Sequence, residues 1–174
     1  MVTLSLLFVF LFNIAVSAAG NDRELIMSEL PEQMKQVIIQ HENEGRNIIF
    51  DSEKNRSMIS PLASTKVNLP ANGYTTDKTF SSAGQSFTVG ADFIATADCN
   101  MKLFLSTTIW NDPAYFTVVV KNVTTGRNVF NNTLLIESEP DAPLYVPISE
   151  GNTYTVTITS KAANTHIAAY ICGG

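Results

Sequence analysis

The chain is poor in the side chains that most often carry chemistry: 174 residues hold two cysteines, two histidines and one tryptophan. There are 11 Lys and Arg against 16 Asp and Glu, a formal net charge of −5. No cluster of basic residues occurs along the chain. A nucleic-acid surface therefore lacks its electrostatic footprint, and binding to polyanions or anionic membranes is disfavoured for the same reason. Charged residues make up 16% of the chain, well below the usual quarter or so, and Thr, Ser and Asn stand in their place.

Catalytic signatures are missing as well. There is no G-x-S-x-G, no P-loop and no G-x-G-x-x-G. His41 and His166 have no Cys, His or Asp at ligand spacing, so no zinc site is expected. Asp92, Asp98, Asp112 and Asp141 lie on separate segments. A fold that gathered two or three of them would hold Ca2+, but nothing in their spacing asks for it. The expectation is a protein with no catalytic residue, no metal and no cofactor. A secreted hydrolase working through a distant carboxylate pair is the remaining enzymatic alternative.

What is present begins with MVTLSLLFVFLFNIAVSAAG. Its apolar core, Leu4 to Val16, has the length of a signal-peptide core, short of the roughly 20 residues of a membrane span. The small residues Val16-Ser17-Ala18 suit cleavage after Ala18, so residues 1–18 are expected to be a signal peptide. The start carries no Lys or Arg, which departs from that pattern. The alternative is a retained hydrophobic helix, the one route by which a membrane becomes a partner.

Residues 19–46 form an amphipathic helical segment. Ile26, Leu30, Met34, Val37, Ile38 and His41 fall on one helical face, among Glu24, Glu29, Glu32, Glu42 and Glu44. Asn21 or Asp22 can cap the start and Gly45 can end it. Pro31 either opens a second helix or kinks a single one. The segment is expected to dock on its own domain, with a partner-binding or stalk helix as the alternative.

From Asn47 to Gly174 the pattern changes to strands and turns. The expected strands are Asn47–Phe50, Thr65–Leu69, a stretch with Phe87, Val89, Phe93 and Ala95 in near alternation, Met101–Trp110, Phe116–Val120, Asn128–Phe130, Leu134–Ile136, Leu144–Ile148, Thr153–Ser160 and His166–Cys172. They make about eight or nine short strands. With no helical pattern between them, residues 47–174 predict a mainly β fold, a β-sandwich or jelly roll. Cys99 and Cys172 are even in number in a chain that looks exported, and a disulfide between them is expected. It would close a loop of about 70 residues and contribute roughly 4 kcal/mol. Asn55, Asn122 and Asn131 head N-x-Ser/Thr sequons and are candidate glycosylation sites. Trp110, Tyr115 and Phe116 bracket the turn Asn111-Asp112-Pro113, where the aromatics could stack on a sugar with Asn111 and Asp112 as hydrogen-bonding partners; the plainer reading is that Trp110 and Phe116 are core residues at two strand ends.

Two stretches resemble a known type of domain. LPANGYTTDKTFSSAGQSFTVGADF (69–93) carries a Pro-Gly turn, a strand, an exposed Gly and a second strand; PISEGNTYTVTITS (147–160) places a turn glycine before a Tyr-containing strand. They are similar to small secreted bacterial β-sandwich domains of the pre-peptidase C-terminal type. That resemblance implies a non-catalytic domain of the kind attached to enzymes. In outline the chain also resembles an archaeal pilin, a hydrophobic helix followed by a β head with sequons. It departs from that outline at Gly20-Asn-Asp-Arg-Glu24, which is polar where such pilins stay apolar. The functional expectation is a secreted or cell-surface protein that assembles with itself as a coat, matrix or filament subunit. A carbohydrate-binding module for an extracellular glycan is the alternative.

Overall fold

The computed structural model describes residues 22–53, 65–107, 113–138 and 142–174. In chain order the elements are α1 (22–29), α2 (Glu32–Asn43), β1 (Asn47–Asp51), β2 (Thr65–Leu69), β3 (Asn72–Phe80), β4 (Ser86–Thr88), β5 (Ala91–Ala95), β6 (Cys99–Ser106), β7 (Ala114–Asn122), β8 (Arg127–Ile136), β9 (Leu144–Ile148), β10 (Thr153–Ser160) and β11 (Thr165–Gly173).

Alternation makes the strands. In β10, TYTVTITS, the residues Tyr154, Val156 and Ile158 are buried and the threonines between them point the other way. β7 repeats the device with Phe116, Val118 and Val120 inside. The strands form two sheets, ordered β1-β3-β11-β6-β9 and β2-β5-β10-β7-β8, with β4 added beside β10. β1 joins β3 and β2 joins β5 in parallel; the other pairings are antiparallel. The inner faces share one core. Tyr74, Phe80, Met101, Leu103, Ile167 and Ile171 come from the first sheet, and Phe93, Phe116, Val118, Tyr154, Val156 and Ile158 from the second. This is a β-sandwich.

A third layer covers the first sheet. Ile26, Leu30, Met34 and Ile38 of the helical segment pack on Ala168, Tyr170 and Cys172 of β11, with Ile48, Phe50 and Phe104 at the margin. Each fully buried apolar side chain contributes about 1.5–3 kcal/mol, so this face holds the helices firmly. The helical face expected to dock does so, against the chain's own sheet. β11 is thus apolar on both sides and buried along its whole length. Pro31 separates two helices and sits at the N-cap of α2. Gly45, at φ 83°, ends α2: its N–H donates to Glu42 O and the Arg46 N–H to His41 O, a Schellman closure that favours glycine.

Three expectations change. The Cys99–Cys172 disulfide does not form; both thiols are free. Although β6 and β11 are neighbours, their register sets Cys172 opposite Lys102, three residues from Cys99. That separates the Cα atoms by about 10 Å, beyond the roughly 7 Å a disulfide spans. The two also face opposite ways, Cys99 towards the sandwich core and Cys172 towards the helices. Second, β3, the strand that the resemblance places after the Pro-Gly turn, begins inside that turn, at Asn72. Third, residues 128–130 and 134–136 belong to one ten-residue strand, β8, which runs straight through Asn131-Asn132-Thr133.

Candidate functional site

The second sheet has no helix layer over its outer face among the described residues, and its register arranges polar side chains there in rows. One row crosses four strands as Ser86, Thr159, Thr117 and Thr133. Within it Ser86 Oγ lies 2.7 Å from Thr159 Oγ1, and Thr117 Oγ1 lies 2.8 Å from Thr133 Oγ1. The next row is Thr88, Thr157, Val119 and Asn131, with Thr88 and Thr157 hydroxyls 3.0 Å apart. The low charge of the sequence thus becomes a hydroxyl-rich sheet face. Of the residues expected at a sugar platform, Tyr115 lies on this face, 56% exposed and opposite Leu135, itself 47% exposed. Trp110 and Asp112 lie outside the described residues, as does Asn55. Asn131 is exposed on β8. Asn122 is buried, and its Oδ1 accepts the Thr125 N–H at 3.0 Å.

The sheet edges differ in how they are protected. Exposed strand edges invite pairing with other chains, and charges, prolines or covering elements blunt them. β1 lies beside the helices through Ile48 and Phe50 and ends in Asp51. β2 is short and carries Lys66; β9 is short and carries Pro147. β8 has ten residues, no proline and one charge, Arg127 at its start. A bulge opposite Val120/Lys121 disturbs only that first end. Ile136 alone of its residues is buried; Phe130 and Leu134 are partly covered, and Val129 and Leu135 are exposed.

Two polar clusters lie beneath the helices. In one, His166 Nε2 is 3.4 Å from Asp77 Oδ2 and 3.7 Å from Glu29 Oε2. Asp77 Oδ1 accepts the Glu53 N–H at 2.9 Å. The three ligand atoms lie within 4.8 Å of one another, so Glu29, Asp77 and His166 have the donors to hold a divalent cation. The same distances suit ion pairs that pin α1 to the sheet. Sequence reasoning found no partner for His166 because the three residues come from α1, β3 and β11. Of the four aspartates considered for Ca2+, Asp92 is the second residue of β5, while Asp98 lies beyond that strand's far end and accepts the Glu150 N–H at 2.8 Å. Asp112 and Asp141 lie outside the described residues.

In the other cluster, His41 Nδ1 is 2.7 Å from Tyr170 Oη, and Cys172 lies on the same face of β11 as Tyr170. Arg46 donates to the Gly173 carbonyl at 2.8 Å. Burial pushes the Cys172 thiol up to about 11 against the pull of Arg46 and Lys102, and raises the Tyr170 phenol as well. Burial, then the Asp98 charge, raises Cys99. Burial, then the Arg46 charge, lowers His41. A protonated thiol beside a neutral imidazole under a packed helix is a structural arrangement, since nucleophilic sulfur needs the thiolate.

The function must be read from these surfaces, because no family model matches the chain and no curated protein matches its sequence.

Proposed function

We propose that the protein is a non-catalytic β-sandwich, secreted or displayed at the cell surface, that works by assembling with copies of itself. The observation that carries this reading is β8, a long edge strand with exposed apolar residues and only one charge. An unblunted edge of this kind pairs with another strand. The hydroxyl-rich face beside it supports contact without charge, and the leader-like residues 1–18 support a place outside the membrane. Sedimentation velocity over the micromolar range tests the reading: a concentration-dependent oligomer supports it, and a monomer throughout refutes it. Intact mass of the native protein tests the placement, with a mature start at Ala19 expected.

A second reading, binding of an extracellular glycan, is favoured by Tyr115 standing exposed on the same face. Aromatic rings there offer a flat surface to a sugar. A monomer that binds a glycan array, and loses binding on Tyr115→Ala, would put this reading first.

A further inference from the structure

We infer that β8 pairs antiparallel with β8 of a second copy about a two-fold axis at Asn132, giving a closed dimer. The inference rests on the self-association proposed above and specifies its partner surface and register.

Symmetry restricts the choices. Residues directly opposite each other in an antiparallel pair share a face of the sheet. A two-fold axis normal to the sheet keeps inner face with inner face and outer with outer, so one residue must face its own copy at the axis. On β8 the inner face carries Phe130, Asn132, Leu134 and Ile136, opposite Val120, Val118, Phe116 and Ala114 of β7. The outer face carries Asn131, Thr133 and Leu135, opposite Val119, Thr117 and Tyr115.

Centring on Asn131 sets Leu134 against Asn128 and Leu135 against Arg127 of the second copy. Centring on Thr133 sets Leu134 against Asn132 and Leu135 against Asn131. Centring on Asn132 sets Phe130 against Leu134 of the second copy, and the reciprocal pair repeats it. It also sets Asn131 against Thr133, polar with polar, and brings the exposed Val129 beside Leu135. Of the three registers only this one matches apolar with apolar over residues 129–135, although it leaves Asn128 against Ile136 and the Thr133 register would pair Phe130 with Ile136. Phe130 to Leu134 lies clear of the bulge, so these five positions pair regularly. The half-covered Phe130 and Leu134 gain the cover that the core leaves incomplete.

The dimer joins two sheets edge to edge and continues the hydroxyl face across the junction. It also uses up β8 in both copies. Larger assemblies would then grow from a different surface, and the dimer is their unit.

The test uses the full chain with Cys99→Ser, which removes the half-exposed native thiol. Opposed Cα atoms lie about 4.5–5.5 Å apart, within disulfide reach. Asn132→Cys should form a covalent dimer on mild oxidation, and Thr133→Cys should not. Asn132→Lys, at an exposed site, should place like charges at the axis and weaken the dimer by roughly tenfold or more, with an unchanged circular dichroism spectrum. Cross-linking at Thr133→Cys and not at Asn132→Cys overturns the register. So does an Asn132→Lys dimer as tight as wild type. Either result leaves the self-association reading standing, provided the unmodified chain oligomerises. A wild-type chain that sediments as a monomer overturns both.

Discussion

At the scale of single residues, the two thiols differ in environment. Cys172 is 0% exposed under α2, while Cys99 is part-exposed. In native buffer without reductant, alkylation should label Cys99 and spare Cys172; in denaturant it should label both. Mass spectrometry reads the outcome, and an unlabelled pair in denaturant would restore the disulfide. Gly73 is required for space. A Cβ there would lie 2.7 Å from Tyr170 Oη and 2.8 Å from Ile48 Cδ1. Gly73→Ala should therefore destabilise the fold by about 1–3 kcal/mol, measured as a lower urea midpoint at constant slope. His41 gives a pH effect of definite sign. Its folded pKa is lowered, chiefly by burial, so below about pH 6.5 the unfolded chain binds a proton that the folded chain resists. Stability should fall as pH is lowered through that window and be unaffected by this group above it. The urea midpoint of His41→Gln should fall less between about pH 7 and pH 5.5 than that of wild type.

At the scale of elements, the helical segment is a structural lid on β11. Ile38 is fully buried in that contact. Ile38→Ala should cost about 2–5 kcal/mol and make Cys172 reactive in native buffer, because the same packing shields the thiol. A thermal melt and alkylation rates check both parts. This docking was legible in the sequence, since Ile26, Leu30, Met34 and Ile38 recur at helical spacing and β10 and β11 declare themselves by alternation and by continuous apolarity. β3 was not legible in periodicity. Thr75, Thr76 and Asp77 are buried in it; Asp77 is met there by the Glu53 N–H, which arrives from another segment. The Lys78 ammonium likewise meets Glu53. β8 was read as two pieces because Asn131 and Asn132 interrupt its apolar pattern. Its place at an edge was invisible, because periodicity within a strand says nothing of which strands become neighbours.

At the scale of the whole molecule, the layers are unequal. One sheet is covered on both faces, and the other presents threonine rows and, among the described residues, an open edge. Because that edge carries one charge, at its end, self-association should depend little on salt. Dimer affinity measured by sedimentation at low and high ionic strength should agree closely, whereas an association driven by the net charge of −5 would change strongly. The candidate surface was legible only as composition, as scarce charge and abundant Thr. Its geometry depends on the pairing of β4, β10, β7 and β8.

The central position of β11 also constrains the order of events while the chain is being made. β3 and β6 flank β11 and are held together through it. Until residues 165–173 emerge, the first sheet has only the two ribbons β1-β3 and β6-β9, and the helices lack most of the surface they rest on. Contacts this distant in sequence close slowly, and the waiting ribbons are vulnerable to mispairing. The second sheet, whose strands all lie before Lys161, can pair first, so the first sheet and its helical cover close after it.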